Sequence, residues 1–189
     1  MNSTKPKTGV FIGSLRKESF TKKIARELES LASGKFDFTE MEMGNLPIYN
    51  QDLDDEGKAP SEWIQFREKV QELDAVLFVT PEYNRSVPPL LKNAIDIASR
   101  PMGHNVWNGK PAAVIGVSPG ALGGFGVVQQ LRQMFTVLNI PTMQQPEAYI
   151  GNAAALLGED GKIQNEKTRA FLASVMDAYL EWIKTLSSK

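Results

Sequence analysis

Two almost uninterrupted apolar runs constrain the fold of this chain more than any other feature of its sequence. They span residues 74–80 and 111–118, and a shorter apolar run lies at residues 10–12. Strands that are buried on both faces have this composition, and they occur almost only in parallel sheets covered by helices on both sides. Helical spacing of apolar residues follows each run. The sequence therefore predicts an α/β protein built on a parallel sheet.

The remaining predicted elements complete a regular alternation of strands and helices. Further strands are predicted at residues 35–43 and from residue 140 to 143, and an amphipathic helix capped by Asn165 ends the chain. Residues 44–60 are expected as a long surface loop, and residues 146–161 as a loop or broken helix. Five strands with this alternation predict one flavodoxin-like domain over residues 1–189, with sheet order 2-1-3-4-5 and helices on both faces.

Three loops with unusual composition follow the three buried strands. They cover residues 13–19, 80–88 and 118–126. In a sheet of this order, ligands bind beyond the carboxyl ends of strands 1, 3 and 4, which are the strands that these loops follow. We therefore expect the three loops to meet in one crevice, although turn chemistry alone would explain any one of them.

The first loop predicts a phosphate site. It holds Ser14, Arg16, Ser19 and Thr21 at a strand-to-helix junction. Unpaired N–H groups and the helix dipole favour an anion there, and hydroxyl and guanidinium groups add donors. The segment matches neither the dinucleotide fingerprint nor a Walker A loop. The alternative is that Ser19 only caps the helix and Arg16 is solvated.

The other two loops indicate a flat, hydrogen-bonding ligand. The middle loop offers the aromatic ring of Tyr83 and the amide of Asn84. The third loop contains glycines, which let the backbone approach a flat ligand closely. Phosphate donors, an aromatic face and backbone groups at a ring edge together describe a pocket for flavin mononucleotide (FMN).

Composition excludes several other functions. A net charge near −1 gives no electrostatic case for nucleic-acid binding. The chain has no cysteine, which excludes disulfides and thiolate chemistry and fits a cytoplasmic protein. His104 is the one histidine and is expected as a polar loop residue. No metal site is expected, because the acidic residues 52–56 lack the spacing of a metal loop and predict a solvated loop.

Neither a membrane span nor a signal peptide is expected. No apolar run approaches the roughly 18 residues that a spanning helix needs. Residues 1–7 are polar and lack the apolar core of a signal peptide.

The chain resembles the NADPH-dependent FMN reductases of the flavodoxin-like fold, a group that includes quinone, chromate and azo reductases. The resemblance spans about residues 9–151, in a consistent order. It is carried by three segments: Gly-Ser-Leu-Arg-Lys-Glu-Ser at 13–19, Thr-Pro-Glu-Tyr-Asn-Arg-Ser-Val-Pro at 80–88, extended by Lys-Asn-Ala-Ile-Asp at 92–96, and Ser-Pro-Gly at 118–120 with Gly-Gly at 123–124.

The resemblance implies roles for particular residues. Ser14, Arg16 and Ser19 would hold the FMN phosphate, with Phe20 and Thr21 completing that loop; Thr21 stands where many relatives have Asn. The edge of the flavin ring would be lined by Pro81, Glu82, Tyr83, Asn84 and Ser86, and its other side approached by Ser118 and Gly120. Arg85, at a variable position in the family, would meet the nicotinamide nucleotide or a neighbouring subunit.

The implied reaction is hydride transfer from NAD(P)H to bound FMN and then to quinones or similar small acceptors. The flavin carries this chemistry, so no catalytic side chain is named. The alternative is a flavodoxin-type electron carrier that needs a partner reductase; the near-neutral charge and Arg16 weigh against it. A non-catalytic nucleotide sensor has no positive feature in its support. The resemblance further implies a cytoplasmic homodimer or homotetramer.

Overall fold

The computed structural model describes residues 5–187, so residues 1–4 of the polar N-terminal segment and residues 188 and 189 lie outside the described part. Five strands form one sheet: β1 (Lys7–Ile12), β2 (Asp37–Glu40), β3 (Ala75–Thr80), β4 (Ala112–Val117) and β5 (Ala148–Ile150). The helices are α1 (Phe20–Leu31), α2 (Gln51–Asp55), α3 (Ser61–Gln71), α4 (Pro89–Ala98), α5 (Phe125–Val137), α6 (Ala153–Leu156) and α7 (Glu166–Ser187).

The sheet has the predicted topology. Its order is β2-β1-β3-β4-β5, and each neighbouring pair is parallel. The carboxyl ends of β1, β3 and β4 therefore lie side by side at one edge. This confirms the doubly wound arrangement and places the three unusual loops next to one another.

Helices cover both faces of the sheet, and each face has its own apolar cluster. On one side α1 and α7 pack against alternate strand residues such as Val10 and Leu77. On the other side α3, α4 and α5 pack against their neighbours Phe11 and Phe78, whose rings stack with centroids 4.8 Å apart. Every residue of β3 and β4 is buried, which explains why the two runs are apolar throughout.

The last strand is not where the sequence predicts it. Residues 140–143 make only one isolated bridge, Thr142 with Ala112, and β5 forms at residues 148–150 within the predicted loop. Ile140 and Met143 are buried, so the apolar signal is real, but Pro141 has no N–H for a ladder. Similarly, α6 is a single turn inside the segment expected as a loop or broken helix.

The acidic run in the long loop is helical rather than a loop, although Asp52, Asp55 and Glu56 are exposed as expected. Residues 51–55 form α2, whose first turn is capped by Asn50 through a bond from the Asp52 N–H to Oδ1 (3.1 Å). The side chain of Asp54 is buried and accepts two hydrogen bonds from the guanidinium of Arg67 of α3, at N···O distances of 2.9 and 2.7 Å. Arg67 lies 13 residues from Asp54 along the chain, so a local sequence pattern does not predict this ion pair.

The described helices include none with the length and apolar character required to cross a membrane.

Candidate functional site

The first and second loops meet because Gly13 lets β1 and β3 end in contact. The Gly13 N–H donates to the carbonyl of Val79 at 2.9 Å. A Cβ built on Gly13 would lie 2.7 Å from Thr80 Oγ1 and 2.9 Å from Pro81 Cδ, which is closer than real contacts allow. The glycine therefore serves close packing of the strand ends, and it brings residues 14–19 beside residues 81–88.

Two buried hydroxyls lie where the first loop enters α1. Ser19 is the N-cap of the helix, and its Oγ accepts the N–H of Lys22 at 3.3 Å. Its Oγ also lies 2.5 Å from Thr21 Oγ1, and both side chains are almost completely buried. One hydroxyl proton closes this pair, which leaves the other available to donate to a bound group. Ser19 therefore does cap the helix, and one hydroxyl of the Ser19–Thr21 pair remains available to donate to a ligand.

The remainder of the first loop presents further donors. Within residues 5–187, the N–H groups of Leu15, Lys17 and Glu18 make no hydrogen bond, whereas the Arg16 N–H donates to Ser14 Oγ at 3.3 Å. The exposed side chains of Arg16 and Lys17 likewise have no ion pair among the described residues. An uncompensated positive loop at a helix N-terminus attracts an anion.

The single carboxylate of this loop is already neutralised. Glu18 pairs with Lys23 at 2.8 Å. The hydrogen bond and the charge of Lys23 hold the pKa of Glu18 below its ordinary value, so the carboxyl is ionised and its charge is balanced within α1. Little repulsion therefore opposes an anion bound by Arg16 and the hydroxyls.

The second loop is joined to the first through Tyr83. Its hydroxyl donates to Ser14 Oγ at 3.4 Å, and the ring is partly exposed at the mouth of the site. Asn84, at the tip, is exposed and adopts a positive φ of 50°. Glu82 lies in the same crevice, yet its carboxylate accepts bonds from Val127 N and Arg85 Nη1, both at 3.0 Å. Its side-chain oxygens are therefore engaged by protein groups.

The glycines of the third loop serve mainly to pack the loop on the sheet. A Cβ on Gly123 would lie 2.5 Å from the Tyr149 carbonyl carbon, and one on Gly116 would lie 2.4 Å from the Gly123 oxygen. Nothing lies within 4 Å of a Cβ built on Gly120, so that position is open to a ligand. The sequence-based expectation that these glycines admit a ligand thus fits Gly120, whereas Gly123 is explained by packing.

One crevice of about 190 Å³ brings together most of the predicted site residues. From the predicted set its lining includes Ser14, Arg16, Ser19, Phe20, Thr21, Pro81, Glu82 and Tyr83. Val117 and Pro119 also line it, and sequence reasoning passed over them because one ends an apolar strand and the other is a common turn residue. A second cavity, of about 310 Å³, adjoins the first loop and shares Ser14 and Arg16.

Four predicted residues do not line the crevice: Asn84, Ser86, Ser118 and Gly120. Asn84 lies at the exposed tip of the second loop, and the Ser86 hydroxyl donates to Gln130 Oε1 at 2.9 Å. The Ser118 hydroxyl donates to the carbonyl of Gly120 at 2.8 Å, which also accepts the N–H of Asn152. The hydroxyls of Ser86 and Ser118 are therefore engaged in shaping their own loops.

The donor set suits a phosphate monoester joined to a flat ring. Buried hydroxyls and Arg16 supply donors for a phosphate, and Pro81, Tyr83 and Pro119 supply flat surfaces in the same crevice. Among residues 5–187, no three His, Asp or Glu side chains gather in a way that could hold a metal ion. The residues present fit FMN.

Fold and site together define a flavodoxin-like flavoprotein, with its ligand crevice at the carboxyl edge of a parallel sheet. The profile of the NADPH-dependent FMN reductases matches residues 6–155, which is most of the chain. The chain belongs to this family. It is accordingly an oxidoreductase that uses FMN, with NAD(P)H as the electron donor.

Individual relatives agree with this assignment over nearly their full length. A quinone reductase of Pseudomonas putida is 53% identical over 176 residues, which is 93% of each protein. A 2-hydroxy-1,4-benzoquinone reductase of Burkholderia sp is 44% identical and is matched over 94% of this chain and 96% of its own. The solved structure of FerB, a flavoenzyme NAD(P)H:(acceptor) oxidoreductase from Paracoccus denitrificans, superposes with a TM-score of 0.89 at 42% identity, covering 95% of this chain and 98% of that one.

Proposed function

We propose that this protein transfers electrons from NAD(P)H, through FMN held in the crevice, to quinones or similar small acceptors. The observation that carries the proposal is the meeting of three loops around one crevice whose lining combines buried hydroxyl donors with flat side chains. The two bacterial relatives, a quinone reductase and a 2-hydroxy-1,4-benzoquinone reductase, support quinones as the acceptor class. When bound, FMN supplies the hydride-accepting and hydride-donating chemistry, and the protein orients the reactants.

We propose the following division of roles among the site residues. Ser14, Arg16, Ser19, Phe20 and Thr21 hold the phosphate; Pro81, Glu82, Tyr83, Asn84 and Ser86 form the ring edge; Ser118 and Gly120 form its other side. The contacts refine this division, because Glu82 and the hydroxyls of Ser86 and Ser118 bond to protein groups. We therefore assign these three to shaping the loops, and we add Val117 and Pro119 to the crevice wall.

The decisive experiment is spectroscopic and kinetic. Purified protein, or apoprotein given FMN, should show the yellow flavin spectrum, and NAD(P)H should bleach it. Addition of a benzoquinone should then sustain NAD(P)H oxidation with no other protein present. A protein that rejects added FMN overturns the proposal. A flavin that NAD(P)H reduces only when a partner reductase is supplied would instead establish a flavodoxin-type carrier.

We further propose that residues 1–189 form one domain, which assembles into a homodimer or homotetramer in the cytoplasm, where reduced nicotinamide nucleotides are supplied. One continuous sheet across the described residues supports the single domain. The large exposed side chains of Leu122, in the third loop, and Phe125, at the start of α5, support assembly, because a second subunit would cover them. Sedimentation that shows only a monomer overturns the assembly, and cell fractionation tests the location.

A further inference from the structure

The tip of the second loop is a strained two-residue turn. The N–H of Tyr83 donates to the carbonyl of Ser86 at 3.1 Å, and the N–H of Ser86 donates back to the carbonyl of Tyr83 at 2.9 Å. The two residues between them, Asn84 and Arg85, have φ values of 50° and 64°. This is the pattern of a type I′ turn, which favours Asn followed by Gly. Arg85 occupies the position that glycine would fill without strain.

Gln130 of α5 holds this turn from outside. Its Nε2 donates to the carbonyl of Arg85 at 2.8 Å, and its Oε1 accepts the hydroxyl of Ser86 at 2.9 Å. The Nε2 and Oε1 atoms of Gln130 therefore bond to two consecutive residues of the turn, Arg85 and Ser86. Gln133, three residues farther along the same helix, is exposed, and its side chain makes no hydrogen bond among the described residues.

A second link joins the turn to the start of α5. The carboxylate of Glu82, 8% exposed, accepts the side chain of Arg85 through Oε1 and the N–H of Val127 through Oε2, both at 3.0 Å. The N-cap of α5 is Gly124, which has no side chain, so Glu82 supplies the acceptor and the negative charge that a helix N-terminus favours. Room for this carboxylate exists because residue 126 is glycine: a Cβ there would lie 2.9 Å from Oε2.

We propose that Gln130, together with the Glu82–Arg85 pair, positions the flavin-facing turn by holding it in its left-handed conformation. The inference rests on the proposed function, because it takes Tyr83 and Asn84 to face FMN. The Tyr83 hydroxyl also contacts Ser14 of the phosphate loop, so a displaced turn disturbs both ends of the crevice. Gln130 does not line the crevice itself, and it acts through the turn alone.

Amide hydrogen exchange on the apoprotein tests the positioning without any flavin. Gln130→Ala should speed exchange at the N–H groups of Tyr83 and Ser86, while Gln133→Ala should leave both unchanged. Global unfolding of both variants, followed by circular dichroism, serves as the check on folding. Unchanged exchange in a folded Gln130→Ala protein overturns the proposal.

Titration of apoprotein with FMN tests the consequence for the cofactor. We expect Gln130→Ala to raise the Kd for FMN about tenfold, the effect of one or two net hydrogen bonds, and to alter the shape of the bound-flavin spectrum. Gln133→Ala is the matched control. A Kd equal to that of the control overturns the proposal. A wild-type apoprotein that binds no FMN defeats the proposed function instead, and the exchange measurement still decides the role of Gln130.

The same titration in an Arg85→Gly background separates positioning from general damage. Arg85→Gly removes the ion pair with Glu82, but glycine adopts positive φ without strain, so we expect the turn to keep its conformation with neither hold. Gln130→Ala should change the Kd by less than about threefold in that background, well below its expected effect beside Arg85. Equal effects in the two backgrounds would show that Gln130 does not act by holding the left-handed turn.

Discussion

Changing Ser19 to aspartate separates the two functions that this residue can have. Its Oγ caps α1 through the Lys22 N–H and is also paired with Thr21 in the crevice. Aspartate caps helices about as well as serine. It cannot donate a hydrogen bond when ionised, and it carries the same sign of charge as a phosphate. The variant therefore keeps the cap and destroys a phosphate site.

The expected magnitude is large. A carboxylate about 4 Å from one phosphate charge opposes binding by about 4 kcal/mol at an effective dielectric constant of 20. Each 1.4 kcal/mol is a factor of ten in Kd, so FMN should bind roughly a thousandfold more weakly. The burial of Ser19 and Thr21 limits screening by solvent. The retained cap limits the change in the free energy of unfolding of the apoprotein, but burial of the larger, charged side chain lowers that free energy in part.

The assay compares two numbers for each variant: the Kd from quenching of FMN fluorescence and the unfolding midpoint of the apoprotein. Asn165→Asp is the matched control, because Asn165 caps α7 through the Thr168 N–H at 3.0 Å and does not line the crevice. It should leave both numbers unchanged. FMN affinity of Ser19→Asp within about threefold of wild type would falsify the phosphate assignment and leave Ser19 as a cap only.

Three further changes test other parts of the structure. Arg16→Ala should weaken FMN binding about 10- to 100-fold with an unchanged unfolding midpoint, and unchanged affinity would return Arg16 to a solvated loop residue. Asp54→Ala leaves Arg67 unpaired and should cost about 3–5 kcal/mol in urea unfolding; an unaltered midpoint contradicts this. Burial, and after it the negative charge of Glu40, raises the pKa of the Glu29 carboxyl above its ordinary value. The protein therefore loses stability as the pH rises through the titration of this carboxyl, because the folded state holds the proton more tightly than the unfolded state does. Glu29→Gln should therefore stabilise the protein near pH 7 but not near pH 3, and equal effects would refute this.

The fold was predictable because its main signals are local. Continuous apolar runs mark β3 and β4, and the Ser19 and Asn165 caps mark the starts of α1 and α7. The strand at residues 148–150 was missed because three residues carry too little pattern. The buried Ile140 and Met143 gave residues 140–143 the pattern of a strand, but only Thr142 forms a bridge.

The candidate site was predictable in part. Its first loop could be read from hydroxyls and Arg16 at a strand-to-helix junction, since that chemistry lies within a few consecutive residues. Val117 and Pro119 could not be distinguished from ordinary strand and turn residues. The engagement of Glu82 by Val127 joins residues 45 positions apart, and nothing in a local pattern reveals such a bond.

The sequence by itself determined the alternation of strands and helices, the sheet order and the composition of the three loops, because these depend on periodicity and on chain-neighbour chemistry. The tertiary structure alone decided which polar groups of those loops remain available to a ligand. The hydroxyls of Ser19 and Thr21 share one hydrogen bond, so one of them can still donate to a ligand. The Glu82 carboxylate and the Ser118 hydroxyl, in contrast, already bond to groups of the protein. The physical reason is that a hydrogen-bonding group is free or engaged according to its neighbours in space, which the linear chain does not specify.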